Sequence, residues 1–269
     1  MPELPEVETT KRAIAVFEGQ VLKKIEVHNP NLRWLVDCKT IKTIKETKIL
    51  SITRRAKYIL IQFKNYSLII HLGMTGTMRI LPIDSNATRK HDHVVFYFAK
   101  HKLIFNDARR FGSLHITKSP SNHFLLSALG PEPNQSDFNA DFLYQKIKTS
   151  NTHTKSFLMN QKNVVGIGNI YASEILFAAG ISPRRKIKYL TKKDCRAVVD
   201  QTHRIINLAI EKGGTTLQDF YAPDGNKGYF KIELNVYGRE HQECRNCHNP
   251  IKRIVQNQRS TFFCNKCQN

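Results

Sequence analysis

Four cysteines at the C-terminal end constrain this chain more tightly than any other feature. Cys244-x2-Cys247 is followed after sixteen residues by Cys264-x2-Cys267, the spacing of a four-cysteine zinc site. Each Cys-x2-Cys pair turns two thiolates to one side of a tight turn. Ile251–Val255 and Ser260–Phe263 have strand character around Gln256-Asn257-Gln258, so the spacing predicts a hairpin carried on the metal. Protein would fill all four tetrahedral positions, which leaves none for water and makes a single Zn2+ structural, not catalytic. Two disulfides or a protein-docking ribbon are the competing readings. Cys38 and Cys195 stand apart and read as core thiols, and the pattern as a whole suits a reducing cytosol.

The charge around that hairpin suggests its partner. From Cys244 to Asn269 there is no acid, while Arg245, Lys252, Arg253, Arg259 and Lys266 are basic. The whole chain follows suit: 42 Lys and Arg stand against 22 Asp and Glu in 269 residues, a net +20. Cut at residue 150, each part carries +10, so the charge belongs to the folded body and not to a tail. Such a balance points to a polyanion, nucleic acid first. No stretch resembles a signal peptide or reaches the roughly 20 apolar residues of a membrane span.

At the other end the chain opens Met1-Pro2-Glu3-Leu4-Pro5-Glu6-Val7-Glu8. A small second residue permits removal of Met1, which leaves Pro2 with a free secondary amine beside two carboxylates. An α-amino group titrates near pH 8 against about 10.4 for lysine, so much more of it is an unprotonated nucleophile at neutral pH. Attack on a sugar C1′ would give an iminium, a permanent positive charge that acts as an electron sink. The same residues also suit the first turn of a helix, which Leu4, Val7, Ile14 and Phe17 continue.

Between the ends, short apolar runs at Tyr58–Phe63, Leu68–Leu72, His93–Phe98 and Leu103–Phe105 predict a β-sandwich or barrel over residues 21–117. Leu129–Asp137, rich in Pro, Gly and Asn, breaks regular structure and reads as a linker. Helical periodicity follows: Ile170–Ala179 stopped by Gly180, then a helix with a Thr191/Asp194 capping box that ends at Gly213-Gly214. Gly166-Ile167-Gly168-Asn169 precedes the first of these, with Asn169 as the expected N-cap and the helix start as an anion site.

Taken together these segments resemble the bacterial formamidopyrimidine-DNA glycosylase family. The resemblance rests on PELPEVE at the start, RRAKY at Arg54–Tyr58, HLGMTG at His71–Gly76 and KHDH at Lys90–His93. It continues through DARRFG at Asp107–Gly112, LGPEP at Leu129–Pro133, GIGNIYASE at Gly166–Glu174, and the cysteine finger. It implies an α+β fold: a β-sandwich domain with an N-terminal helix (1–130), a helical helix–two-turn–helix domain (131–225) and a zinc finger (226–269). Duplex DNA carrying an oxidised base or an abasic site would lie between the lobes of a cytoplasmic monomer.

By the same resemblance Pro2 is the nucleophile and Glu3 the acid/base for sugar-ring opening. Lys57 donates a proton in β-elimination, and Arg259 binds the flanking phosphate and supports δ-elimination. His91 and Asn169 would hold phosphates, while Met74, Arg109 and Phe111 would fill the gap left by an extruded base. That last role is physically apt, because apolar wedges and an arginine can replace lost stacking and pairing. One departure concerns the run before the helix–two-turn–helix element, where Lys148 and Lys155 flank Thr149–Thr152. Lys155 is the expected DNA contact there, ahead of Lys148 and Ser150. Endonuclease VIII-like specificity for oxidised pyrimidines, or a silent damaged-DNA binder, are the alternatives. Leu4 with Met74, Arg109 and Phe111 favours the purine branch, and intact Pro2, Glu3 and Lys57 favour an enzyme. A lesion-capping loop is expected around Phe220–Tyr229.

Overall fold

The computed structural model describes residues 2–214 and 234–269, so Met1 and the expected capping loop at Phe220–Tyr229 lie outside the described residues. The chain divides into two compact units. One holds the described residues up to Ser127 with Gly213 and Gly214; the other holds 128–212 and 234–269.

The first unit begins with helix α1 (Leu4–Ile14) and continues through ten strands: β1 (Val21–Leu22), β2 (Lys24–Val27), β3 (Thr47–Lys48), β4 (Ser51–Arg55), β5 (Tyr58–Gln62), β6 (Ser67–His71), β7 (Thr77–Pro82), β8 (Asp92–Tyr97), β9 (His101–Asn106) and β10 (Ser113–Thr117). Eight of them form two antiparallel sheets, ordered β2-β8-β9-β7 and β10-β6-β5-β4; β1 pairs with β3. Alternation explains the packing. In β5, Ile59 and Ile61 point inward between less buried neighbours, and they share one core with Ile25, Leu68, Ile70, Val94, Phe96 and Phe105 from both sheets. The expected sandwich is present. All four anticipated apolar runs are strands, displaced by no more than two residues at either end.

Helix α1 buries Leu4, Val7 and Ile14 and packs against β4, β5 and β7. Glu3 is its N-cap, in a capping box with Glu6, whose Oε2 accepts from the Glu3 N–H at 2.9 Å. Pro5 falls in the first turn, where a missing N–H costs nothing. The opening therefore does start a helix, and residue 2 lies part-buried just ahead of it.

The second unit contains α2 (Ala140–Ile147), α3 (Thr154–Leu158), α4 (Asn169–Ala178), α5 (Lys192–Glu211) and the hairpin β11 (Lys252–Gln256) with β12 (Arg259–Phe263). The Thr191/Asp194 capping box forms, and Gly213 after α5 sits at φ +75, the left-handed conformation that closes a helix. Leu129–Asp137 is not a free linker. Gly130 N–H bonds the Gln161 carbonyl, Pro131 accepts from Val165, and Glu132 and Pro133 are buried. Of the lone thiols, Cys195 is fully buried with its pKa pushed up to about 11 by burial, whereas Cys38 is only part-buried and is not core. No described helix is long and apolar enough to cross a membrane.

Candidate functional site

In the first unit a series of contacts leads from helix α1 to the loops that carry Met74 and Arg109. Pro2 is part-buried, and the side chains of Glu3 and Glu6 beside it are 1% and 2% exposed. Arg54 ties the helix to the tight turn between β4 and β5: its Nε donates to Glu8 Oε2 at 2.9 Å and its Nη1 to the Ala56 carbonyl at 2.9 Å. Ala56 adopts φ +54, and Lys57 follows it half-buried. Glu8 is held below the usual carboxylate range, its burial outweighed by Arg54, Lys11 and Arg12. Lys57 and Arg33 bear on His71, whose pKa falls to about 4, mainly through burial. At neutral pH that imidazole is uncharged. Its Nδ1 accepts from Gly73 N–H at 3.1 Å, so the proton sits on Nε2, which is a donor.

His71 leads directly into the loop carrying Met74. Met74, Arg109 and Phe111 are all exposed, and the Arg109 guanidinium lies 4.7 Å from the Phe111 ring centroid. Their loops are joined by Asp107, which is fully buried. Its carboxylate accepts from the Thr75 hydroxyl, from Arg109 N–H at 3.3 Å and from Gly112 N–H at 2.7 Å. The backbone of Asp107 reaches the third anticipated segment: its N–H bonds the His91 carbonyl and its carbonyl meets His93 Nε2 at 2.7 Å. His91 has φ +76 and a register shift interrupts β8 next to it, which turns this segment out of the regular ladder. Asp92 braces it from below through Arg79, Asn106 and Arg89 N–H. Pro2, Glu3, Lys57, Met74, His91, Arg109 and Phe111 thus all belong to the first unit.

The other expected residues gather on the hairpin of the second unit. Asn257 and Gln258 at its tip both have positive φ, 47 and 60, the two-residue turn that fits the strand twist. Arg259 follows, exposed. Asn169 is not the N-cap of α4; Gly168 is. A side chain at the first helical position cannot reach back to the following N–H groups, so the Asn169 amide instead donates to the Ser260 carbonyl at 3.0 Å, leaving its Oδ1 buried and unbonded. Lys155, expected at the DNA backbone, is 2% exposed. Its ammonium donates to the Ser260 carbonyl at 2.9 Å and the Thr261 hydroxyl at 2.8 Å, which gives the buried charge hydrogen-bond partners on the hairpin. Lys148 is the exposed cation of that region, and the Ser150 hydroxyl bonds Thr152. Lys155, Ser156, Asn160, Gln256 and Arg259 line a cleft of about 160 Å³.

The four cysteines close the hairpin's base. Their sulfurs lie within 4.8 Å of one another, with Cys244–Cys267 at 3.8 Å and Cys247–Cys264 at 3.4 Å. A tetrahedron of thiolates about 2.3 Å from zinc has edges of about 3.8 Å, so the donor set fits the ion, and these separations are far beyond a disulfide bond. Glu174 on α4 supports the same module. Its buried carboxylate accepts from the N–H groups of Asn235, Val236 and Tyr237, each at 2.9 Å. The sequence assigns no role to Asp107 or Glu174, although each lies inside a quoted motif, DARRFG and GIGNIYASE, because their partners are set only by the fold.

Comparison with known proteins places both clusters in one class. Residues 1–114 match the formamidopyrimidine-DNA glycosylase N-terminal domain, 129–221 the H2TH domain of the same glycosylases, and 242–269 the zinc finger found in FPG and IleRS. Formamidopyrimidine-DNA glycosylases of Hydrogenovibrio crunogenus and Histophilus somni (strain 129Pt) are 46% and 47% identical. Both alignments span all of this chain, with 96% and 99% of those proteins covered. Among solved structures, a Lactococcus lactis FPG mutant bound to Fapy-dG DNA superposes with TM-score 0.91 at 33% identity, covering 99% of each chain. The L. lactis Fpg complex with abasic-site DNA gives 0.91 at 32%, also with 99% of each covered.

The fold and these clusters define a DNA glycosylase that combines a β-sandwich, a helix–two-turn–helix element and a structural zinc finger. The chain belongs to the formamidopyrimidine-DNA glycosylase family.

Proposed function

We propose that this chain excises oxidised purines, 8-oxoguanine and formamidopyrimidines, from duplex DNA and then cleaves the strand at the resulting abasic site. The observation that carries the reading is residue 2: a part-buried proline just ahead of helix α1, next to the buried Glu3 and Glu6, on a helix that Arg54 ties through Glu8 to the turn bearing Lys57.

With Met1 removed, the Pro2 nitrogen attacks C1′ of the damaged nucleotide and the base departs with the C1′–N bond electrons. Glu3 shuttles the proton that opens the sugar ring, leaving a Schiff base on Pro2. The iminium acidifies C2′, so the 3′ phosphate is eliminated, with Lys57 as proton donor. Arg259 neutralises the flanking phosphate and supports the second, δ, elimination. His91 and Asn169 hold phosphates, and Met74, Arg109 and Phe111 occupy the space of the extruded base. Zinc bound by Cys244, Cys247, Cys264 and Cys267 keeps the hairpin bearing Arg259 in shape and takes no part in bond breaking. In this reading the working divisions are 1–130, 131–225 and 226–269, the protein acts as a cytoplasmic monomer, and its partner is damaged double-stranded DNA.

Borohydride trapping tests the central step. The processed protein should form a covalent adduct with duplexes carrying an abasic site or 8-oxoguanine. A chain that keeps an N-terminal extension ahead of Pro2 should bind the same duplexes and trap nothing. Full strand cleavage by the extended chain would remove Pro2 from the mechanism.

A further inference from the structure

The side chain of Asp107 joins both loops of the wedge. A fully buried carboxylate normally sits beside a cation. The hydrogen bonds to this one come from the Thr75 hydroxyl and the N–H groups of Arg109 and Gly112, all uncharged donors. The Thr75 oxygen in turn accepts from Arg109 N–H at 3.1 Å, so residue 109 is held by both loops at once.

The fit between the loops is too close for side chains. A Cβ at Gly73 would lie 2.4 Å from Gly112 N and Phe111 C, and one at Gly112 would lie 2.6 Å from the Phe105 ring. Arg110, between the two wedge residues, takes φ +56, which turns Arg109 and Phe111 out to solvent while their backbone stays pinned. The chain's own contacts hold the backbone of the wedge in place.

We propose that Asp107 and Thr75 are positioning residues that set opposite-base specificity: they touch no DNA, and they fix the aim of Arg109. The proposal rests on the reading of Arg109 as the group facing the orphaned base. Cytosine offers N3 and O2 as acceptors to a guanidinium, and adenine does not match that pattern. Discrimination between them depends on how narrowly the guanidinium is aimed. A looser Arg109 backbone lets the side chain satisfy either base, which lowers the preference without removing the arginine.

Thr75→Val keeps the shape and removes the hydroxyl that bridges Asp107 and Arg109. Asp107→Asn puts an NH2 group against one of the donors the carboxylate now accepts. Single-turnover excision of 8-oxoguanine opposite cytosine and opposite adenine should show the ratio falling by at least about fivefold in Thr75→Val, the scale of one lost hydrogen bond where two are removed, and further in Asp107→Asn. Incision of a preformed abasic site should stay near the wild-type rate, and Thr75→Ser should restore the ratio. Arg109→Ala is measured in parallel. If it collapses the ratio while folded Thr75→Val leaves it intact, the clamp is wrong and the wedge reading stands. If Arg109→Ala also leaves the ratio intact, the wedge reading itself fails. Parallel loss of excision and abasic incision in Thr75→Val would make the pair a plain support of the fold. Thr75→Val and Thr75→Ser together decide between these outcomes even if Asp107→Asn does not fold.

Discussion

The two clusters of candidate site residues are held in place by different chemistry. The sandwich holds its residues on loops that rise from a core of two dozen buried side chains, and a carboxylate with neutral donors completes the arrangement. The zinc-finger hairpin has almost no core: Phe177, Val236, Ile251 and Phe262, with Cys244 and Cys264, make up its buried apolar cluster. A module that small cannot offset its conformational entropy by burial alone. It is held instead by thiolates around an ion, by the Lys155 ammonium, and by the side chains of Asn169, Glu174 and Gln268. One end is rigid by hydrophobic mass, the other by a few strong polar links, and the two should fail under different treatments.

Removing a thiolate should give the largest separation. Cys264→Ser, or prolonged chelation, should release zinc and lower duplex affinity by about 100-fold or more, because the ion's binding energy is folding energy for such a module. The sandwich should stay folded. The chain has a single tryptophan, Trp34, in the first unit, so its emission reports on that unit alone. If the purified protein lacks close to one zinc per chain, or if Trp34 emission collapses together with the metal, the contrast fails.

A smaller effect is expected at Lys155. Lys155→Met keeps the length of the side chain and leaves the Ser260 carbonyl and Thr261 hydroxyl without their partner. An unsatisfied buried group costs about 1–3 kcal/mol, so the hairpin should open more often and exchange zinc faster, with Arg259-dependent δ-elimination reduced. Direct phosphate contact by Lys155 predicts something else, a lower salt dependence of DNA binding with zinc exchange unchanged. Measuring both separates the two roles.

The same contrast marks what could be read from the sequence. The zinc hairpin was legible almost to the residue, because ligand spacing is local and tetrahedral chemistry admits few arrangements. The strands were legible too, because short continuous apolar runs such as Tyr58–Phe63 are strand-length and lie between turn signals. What the sequence did not carry were partnerships over long separations. Lys155 reads as a DNA contact, and nothing local shows that Ser260 and Thr261, more than a hundred residues later, accept from its ammonium. Asn169 reads as a cap because Asn favours caps; its tie to the Ser260 carbonyl wins instead. Asp107 and Glu174 look like ordinary acids in a basic chain, and only the fold shows that each organises a functional segment. Cys38 illustrates the reverse error: thiols are usually buried, but this one lies part-exposed on the stretch after Trp34.

The smallest predicted effect probes the rigid end through its own reporter. Trp34 packs edge-on against His115 at 5.3 Å, and His115 against His123 at 5.1 Å, with Phe124 closing the group. Burial, then the neighbouring His123, lowers the His115 pKa to about 4, and burial lowers that of His123 as well. The sign follows from linkage: an unfolded chain takes up the proton as pH falls through 6.5, while the folded one resists until about 4. The contribution of the neutral imidazole is complete above pH 6.5 and is lost between 6.5 and 4, at most about 3 kcal/mol for such a shift. Zinc should leave the finger in the same acid range, because protons compete for thiolates, so a global measurement would merge the two. Trp34 emission keeps them apart. It should step near pH 4 as the imidazolium forms beside the indole, and His115→Gln should abolish the step without altering zinc release. A midpoint near 6.5 in the folded protein would mean that His115 is solvated, and that this corner of the sandwich is looser than its packing indicates.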